Sequence, residues 1–285
     1  MAITWSVCAI ALLLTLSSCS GGGSDPSIDM APIDSSGSNM LGGGEGAPES
    51  PGATDNDMPQ TPPLAGTIFI EANIINENDP SAFLTIRYLG TAQRQMFDRR
   101  VGWVIAEPYI FEASYDDGLF IEVQVNAEFS EDEAAVEAAR YAWLYGQLPT
   151  LLREGVDTSW IHRGVFPWGG GNRNLLVHTG QSERYLRDGI VEETLVHEAT
   201  HSSLDEQYGT SAGWIAAQMA DPTFISSYAQ DFPSREDLAE SFLPYVALRY
   251  RRDRISEELA DTIQQTIPNR IQFFDGIVRD MYPLQ

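Results

Sequence analysis

The chain has 285 residues, with 41 Asp and Glu against 17 Arg, no Lys, and a formal charge of -24. Such a field repels phosphate backbones, which excludes nucleic-acid binding through a basic patch and favours cationic partners. The hydrophobic content of 43% is that of a globular protein, and no apolar run reaches the roughly 18 residues of a membrane span.

Residues 1–18 carry no charged side chain, and Ala9 to Leu16 form the short apolar core of a secretory signal. Leu16-Ser17-Ser18-Cys19 comes next and resembles a bacterial lipobox, whose cysteine is acylated after cleavage. A lipid anchor at Cys19 is therefore expected. Ser20 stands where the lipoprotein family carries Asp for inner-membrane retention, which points to the outer membrane of a cell envelope. Cys8 lies in the signal, so no cysteine remains for the folded part, and any metal there must be held by His, Asp or Glu. Residues 19–66 read as a tether: among residues 20–66 there are 10 Gly, 7 Pro and 7 Ser, with no basic or aromatic side chain.

The remainder divides into a β-rich part, 67–127, and a largely helical part, 128–285. Strands are predicted at Thr67 to Ile75, Phe83 to Leu89, Trp103 to Ala106, Tyr109 to Tyr115 and Leu119 to Val125, the last two joined across Asp116-Asp117-Gly118 as a hairpin. Ser130 with Glu133 forms a capping box opening a helix to about Tyr145. The Trp168-Gly169-Gly170-Gly171-Asn172 run is expected to be a flexible loop, since it lacks the Lys and strand-to-helix context of a phosphate cradle. A short strand, Asn174 to His178, comes after it, with helical patterns from Ile190 onward. Strands first and helices later predict an α+β fold, with a small mixed or antiparallel sheet.

Within that helical part, His197-Glu198-Ala199-Thr200-His201 places two imidazoles on one helix face, close enough to grip one zinc ion, with Glu198 beside the open position where water binds. With four His and 21 Glu, composition alone would produce this spacing about 0.004 times per chain. A catalytic zinc needs a third protein ligand. The metzincin extension would require Gly at Leu204 and His at Gln207, and is excluded. Asp205 echoes an aspzincin motif, but a continuous helix rises about 12 Å between it and His197, too far for a shared ion. His178, on the preceding strand, remains an alternative. Glu236 is preferred: Pro233-Ser234 is expected to open a helix with Glu236 and Glu240 one turn apart, Glu236 on the metal and Glu240 accepting the second N-H of a ligating imidazole.

These segments resemble the gluzincin metallopeptidases, in the group that includes the anthrax lethal factor catalytic domain, which pairs the zinc helix with a later Glu-x-x-Ala-Glu-x-Phe helix; Glu236-Asp237-Leu238-Ala239-Glu240-Ser241-Phe242 fits it. The resemblance covers residues 190 to 249. It implies a Zn2+-dependent metallopeptidase with Glu198 as general base and Tyr228, shortly before that helix, stabilising the transition state. The expected substrate is a peptide or protein, bound along strand Asn174 to His178. Two other readings are an anchored binding protein on a zincin scaffold that no longer catalyses, and a purely structural envelope lipoprotein. The intact Glu198 speaks for the enzyme.

Overall fold

The computed structural model describes residues 61–67 and 74–285. The signal, Cys19, most of the tether and residues 68–73 of the first predicted strand lie outside them. Of that strand's remainder, Ile74 and Ile75 form a buried bend instead. Among the described residues no helix is long and apolar enough to cross a membrane.

The architecture is α+β. Strand β1 (Phe83–Thr91) is followed by the hairpin strands β2 (Arg94–Asp98) and β3 (Gly102–Ala106), which pair only with each other. Strands β4 (Tyr109–Tyr115) and β5 (Phe120–Val125) pair antiparallel across the Asp116-Asp117-Gly118 turn, where Gly118 adopts φ 86°. The chain then crosses through α1 (Glu131–Gln147) and α2 (Thr150–Arg153) to β6 (Thr158–His162), parallel to β5. Strand β7 (Gly169–Gly171) turns back through Asn172 and Arg173, both at positive φ, into β8 (Asn174–His178). The sheet order is β1-β4-β5-β6-β8-β7, so the parts drawn at 127/128 share one sheet and β7 is an outer edge.

The capping box of α1 forms as expected, with Ser130 Oγ accepting from Glu133 N at 3.3 Å and Glu133 Oε2 accepting from Ser130 N at 2.8 Å. Ala134, Ala138 and Ala142 lie on the buried face of α1, and these small side chains let the helix lie close to β4 and β5. The later helices are α3 (Thr179–Asp188), α4 (Val191–Leu204), α5 (Ala212–Ala220), α6 (Ser227–Asp231), α7 (Asp237–Tyr250), α8 (Glu257–Thr266) and α9 (Pro268–Ile277). Helix α4 packs between β7 and α7. Helix α7 is buried on every face from Asp237 to Leu248, as a central helix must be. Its start is fixed by an ion cluster with no solvent exposure, in which Arg270 Nε donates to Asp237 Oδ2 at 2.8 Å and Nη1 to Asp221 Oδ2 at 2.9 Å.

The fold corrects the sequence expectations at further places. Strands β2 and β6 have no counterpart among the predicted elements. The glycine run is not a loop but strand β7, paired with β8 from Gly169↔Leu176 to Gly171↔Asn174. Strand β8 is paired on both sides, by β6 and β7, so it has no free edge for a peptide. Helix α7 begins at Asp237 rather than at Ser234; residues 233–236 form a turn in which Phe232 O accepts from both Arg235 N and Glu236 N.

Candidate metal centre

Helix α4 carries His197 and His201 one turn apart, and their Nε2 atoms face each other at 3.2 Å. Glu236, the residue preceding α7, brings Oε2 to 3.5 Å from His197 Nε2 and 3.2 Å from His201 Nε2. These three ligand atoms form a triangle whose side chains are 11%, 11% and 9% exposed. Ligands about 2.0 to 2.1 Å from a tetrahedral ion stand about 3.3 to 3.4 Å apart, and the observed edges match that spacing. Among the described residues, this is the one group of three or more His, Cys, Asp or Glu side chains whose ligand atoms converge in this way.

The surrounding groups aim the triangle inward. Asp205 Oδ2 lies 2.7 Å from His201 Nδ1, and Glu240 Oε1 lies 3.4 Å from His197 Nδ1. A proton held on Nδ1 by a carboxylate leaves the Nε2 lone pair for a cation. Glu240 is buried and is held in turn by Ser226, whose Oγ donates to Oε2 at 2.5 Å. Arg235 Nη2 donates to Glu236 Oε1 at 2.8 Å, which leaves Oε2 for the histidines.

The electrostatics agree with the donor set. Burial opposes charge on His201, yet hydrogen bonds to Asp205 and Glu236 push its pKa up to about 10. Burial also works against the Glu236 carboxylate, but the two imidazoles and Arg235 hold it well below the usual carboxylate range. The two shifts have complementary causes: carboxylates favour the charged form of His201, and imidazoles with Arg235 favour the charged form of Glu236. Two imidazole nitrogens and one carboxylate oxygen suit a borderline-soft divalent ion such as zinc.

The triangle opens into a cleft of about 1150 Å³, whose walls include Glu198, Tyr228 and the glycine strand. Strand β7 lies against α4 so closely that a Cβ on Gly170 would stand 1.7 Å from the Glu198 carbonyl oxygen. Ser202 fastens the two together, its Oγ accepting from Gly171 N at 2.9 Å and donating to Asn174 O at 2.7 Å. Tyr228, on α6, packs its ring on Phe232 at 5.1 Å; burial and then the neighbouring Glu236 raise the pKa of its phenol. The backbone of α6 is braced by the segment entering the fold: Ser227 N donates to Leu64 O at 2.9 Å and Tyr228 N to Gly66 O at 3.3 Å.

The structure thus brings His197, His201, Glu236, Glu198, Tyr228 and Glu240 together, and it separates His178 from them. His178 is fully buried at the end of β8, with Nδ1 against Arg163 O at 3.0 Å and its ring 5.4 Å from His162. It is not a third ligand. Asp205 is not a ligand either, but it reaches the other nitrogen of His201, one helical turn away at the end of α4. Its spacing of four from His201 is the signal in the sequence that points to this contact. Arg235, Ser226 and Ser202 also belong to the centre, and the sequence marks them only by their nearness to Glu236, Tyr228 and His201. Comparison with family models, curated proteins and solved structures gives no match for this chain.

Proposed function

We propose that this chain is a zinc-dependent metallopeptidase that hydrolyses peptide bonds, held at the cell envelope through Cys19. The observation that carries the reading is the triangle of 3.2, 3.5 and 3.2 Å edges beside Glu198 in an open cleft. His197, His201 and Glu236 would hold the ion, and zinc when bound supplies a Lewis acid and lowers the pKa of water toward about 7.

The remaining chemistry belongs to side chains of this chain. Glu198 comes directly after the first ligand on the helix and lines the cleft, so it accepts the proton of the attacking water and later passes it to the departing amine. Tyr228 keeps its proton, since its pKa is raised, and donates a hydrogen bond to the carbonyl oxygen as negative charge develops. The outer edge of β7 offers backbone groups to an extended peptide, the role expected from sequence of Asn174 to His178. Asp205 and Glu240 keep both imidazoles in the tautomer that presents Nε2.

The test is zinc content with peptide cleavage. One zinc per chain is expected in the parent, none in His197→Ala, and a full complement without turnover in Glu198→Gln. No bound zinc after reconstitution sinks the enzyme reading. Zinc without cleavage of any peptide leaves an anchored binding protein on an inactive scaffold.

A further inference from the structure

Arg99 sits in the turn between β2 and β3, and its Nη2 donates to the Trp168 carbonyl at 2.7 Å, immediately before β7. The guanidinium lies so close to the strand that a Cβ on Gly169 would stand 2.9 Å from Nη2. It shares the cleft with His197 and Glu198. Two other arginines line that cleft, and both are committed: Arg173 Nε lies 2.7 Å from Asp157, and Arg235 Nη2 lies 2.8 Å from Glu236.

Arg99 makes no ion pair among the described residues, its single hydrogen bond there being the one to Trp168. Carboxylates outnumber arginines 41 to 17 in the chain, so this is not for want of acids. The adjacent Asp98 is turned away, with Oδ2 2.7 Å from Arg100 Nη2. A guanidinium presents five N-H donors in a planar fork, and one neutral carbonyl engages only one of them. Arg99 lines the cleft, beside the edge strand on which a substrate backbone would lie.

We propose that Arg99 is a specificity-determining residue that binds a carboxylate of a peptide laid along β7. That carboxylate is either an Asp or Glu side chain or the peptide's own C-terminus. The assignment rests on the peptidase reading only for the cleavage step, not for binding itself. It departs from the expectation of cationic substrates, which came from net charge: net charge governs approach over distances that salt screens, whereas Arg99 acts at contact.

Three mixtures of random hexapeptides test this: one with free C-termini, one with C-terminal amides, and one with amides and with Asn and Gln replacing Asp and Glu. The zinc-supplemented full chain and Arg99→Gln, Arg99→Lys and Arg99→Glu are compared by equilibrium dialysis with mass spectrometry, and products are read in the same samples. The wild-type chain is expected to retain the third mixture about tenfold less than the first, as befits loss of a charge-assisted pair. The second mixture tells which carboxylate is read: retention like the first assigns the side chain, retention like the third the C-terminus. Arg99→Gln should retain all three alike, Arg99→Glu should favour peptides rich in Arg and Lys, and Arg99→Lys should keep part of the preference, which separates loss of charge from disturbance of β7. Equal retention by the wild-type chain, no retention at all, or an undiminished preference in Arg99→Gln overturns the assignment. Preference without products overturns the peptidase reading alone.

Discussion

Asp205 Oδ2 lies 2.7 Å from His201 Nδ1, on the side of the ring opposite the nitrogen that meets His197 and Glu236. The carboxylate is 36% exposed, so its substitution removes an orienting charge without opening the core. Asp205→Asn is expected to fold normally and to bind zinc about 10- to 100-fold more weakly, the usual cost of losing such a partner. Competition with a chromogenic chelator measures it; unchanged affinity would show that the ring is oriented by α4 alone.

Gly170 is the point where β7 touches the helix. A methyl group there would stand 1.7 Å from the Glu198 carbonyl oxygen and 2.9 Å from its Cα, both backbone atoms that cannot rotate aside. Gly170→Ala is therefore expected to lower stability by about 1 to 3 kcal/mol or more and to abolish turnover, by pushing the strand off Glu198. Gly276→Ala, late in α9 with nothing within 4 Å of the added carbon, should be neutral or slightly stabilising. Thermal unfolding of the two variants side by side reads the difference.

What is legible in the sequence is whatever local geometry decides. The spacing of His197 and His201 fixes their common face in any α-helix, and the patterns in Tyr109 to Tyr115 and Asn174 to His178 give β4 and β8 to the residue. Strand β7 is illegible because three glycines have no side chains to alternate; its extended form is imposed by β8 on one side and α4 beneath. A reading based on helical rise weighs Asp205 only as a ligand, and so leaves out the contact that it makes one turn away with Nδ1 of His201. The cap signal at Ser234 places the start of α7 too early, since Gln218, donating to Pro233 O and Asp237 Oδ2, holds residues 233–236 as a turn.

His162 gives the fold a pH dependence separate from the metal centre. It has no solvent exposure, its Nε2 meets Phe97 O at 3.1 Å and its Nδ1 meets Asn126 Nδ2 at 3.0 Å. One neutral tautomer satisfies both contacts, donating from Nε2 and accepting at Nδ1, whereas a proton on Nδ1 would oppose the amide donor. Burial lowers its pKa to about 4, against the pull of Asp98. As pH falls below about 6.5 the unfolded chain takes up this proton first, so stability declines from there and levels off near pH 4, by about 3 kcal/mol in all. Urea midpoints at pH 7 and 4.5 should show most of that loss, and His162→Gln should flatten it. A slope unaltered by the substitution would assign the pH dependence to other groups.

The brace on α6 ties Tyr228 to the segment that enters the fold. Leu64 O and Gly66 O accept from Ser227 N and Tyr228 N, and Gly66 N donates to Ser227 Oγ at 2.8 Å. Without these bonds α6 keeps its Ser226 cap, where Oγ accepts from Ala229 N at 3.0 Å, and its packing on α7, but a five-residue helix is too short to hold the position of Tyr228 by itself. The proposed zinc ligands are on α4 and just before α7, outside the helix that the brace holds. A chain beginning at Thr67 is therefore expected to bind zinc like one beginning at Thr61 but to turn over peptides about tenfold more slowly, the loss falling in kcat if Tyr228 acts, as proposed, on the transition state rather than on the bound substrate. Tyr228→Phe in the longer chain should lose at least as much, and adding the truncation to Tyr228→Phe should cost little more, since both remove the same donor. Independent, multiplying losses would mean that residues 61–66 act on the cleft by some route other than Tyr228.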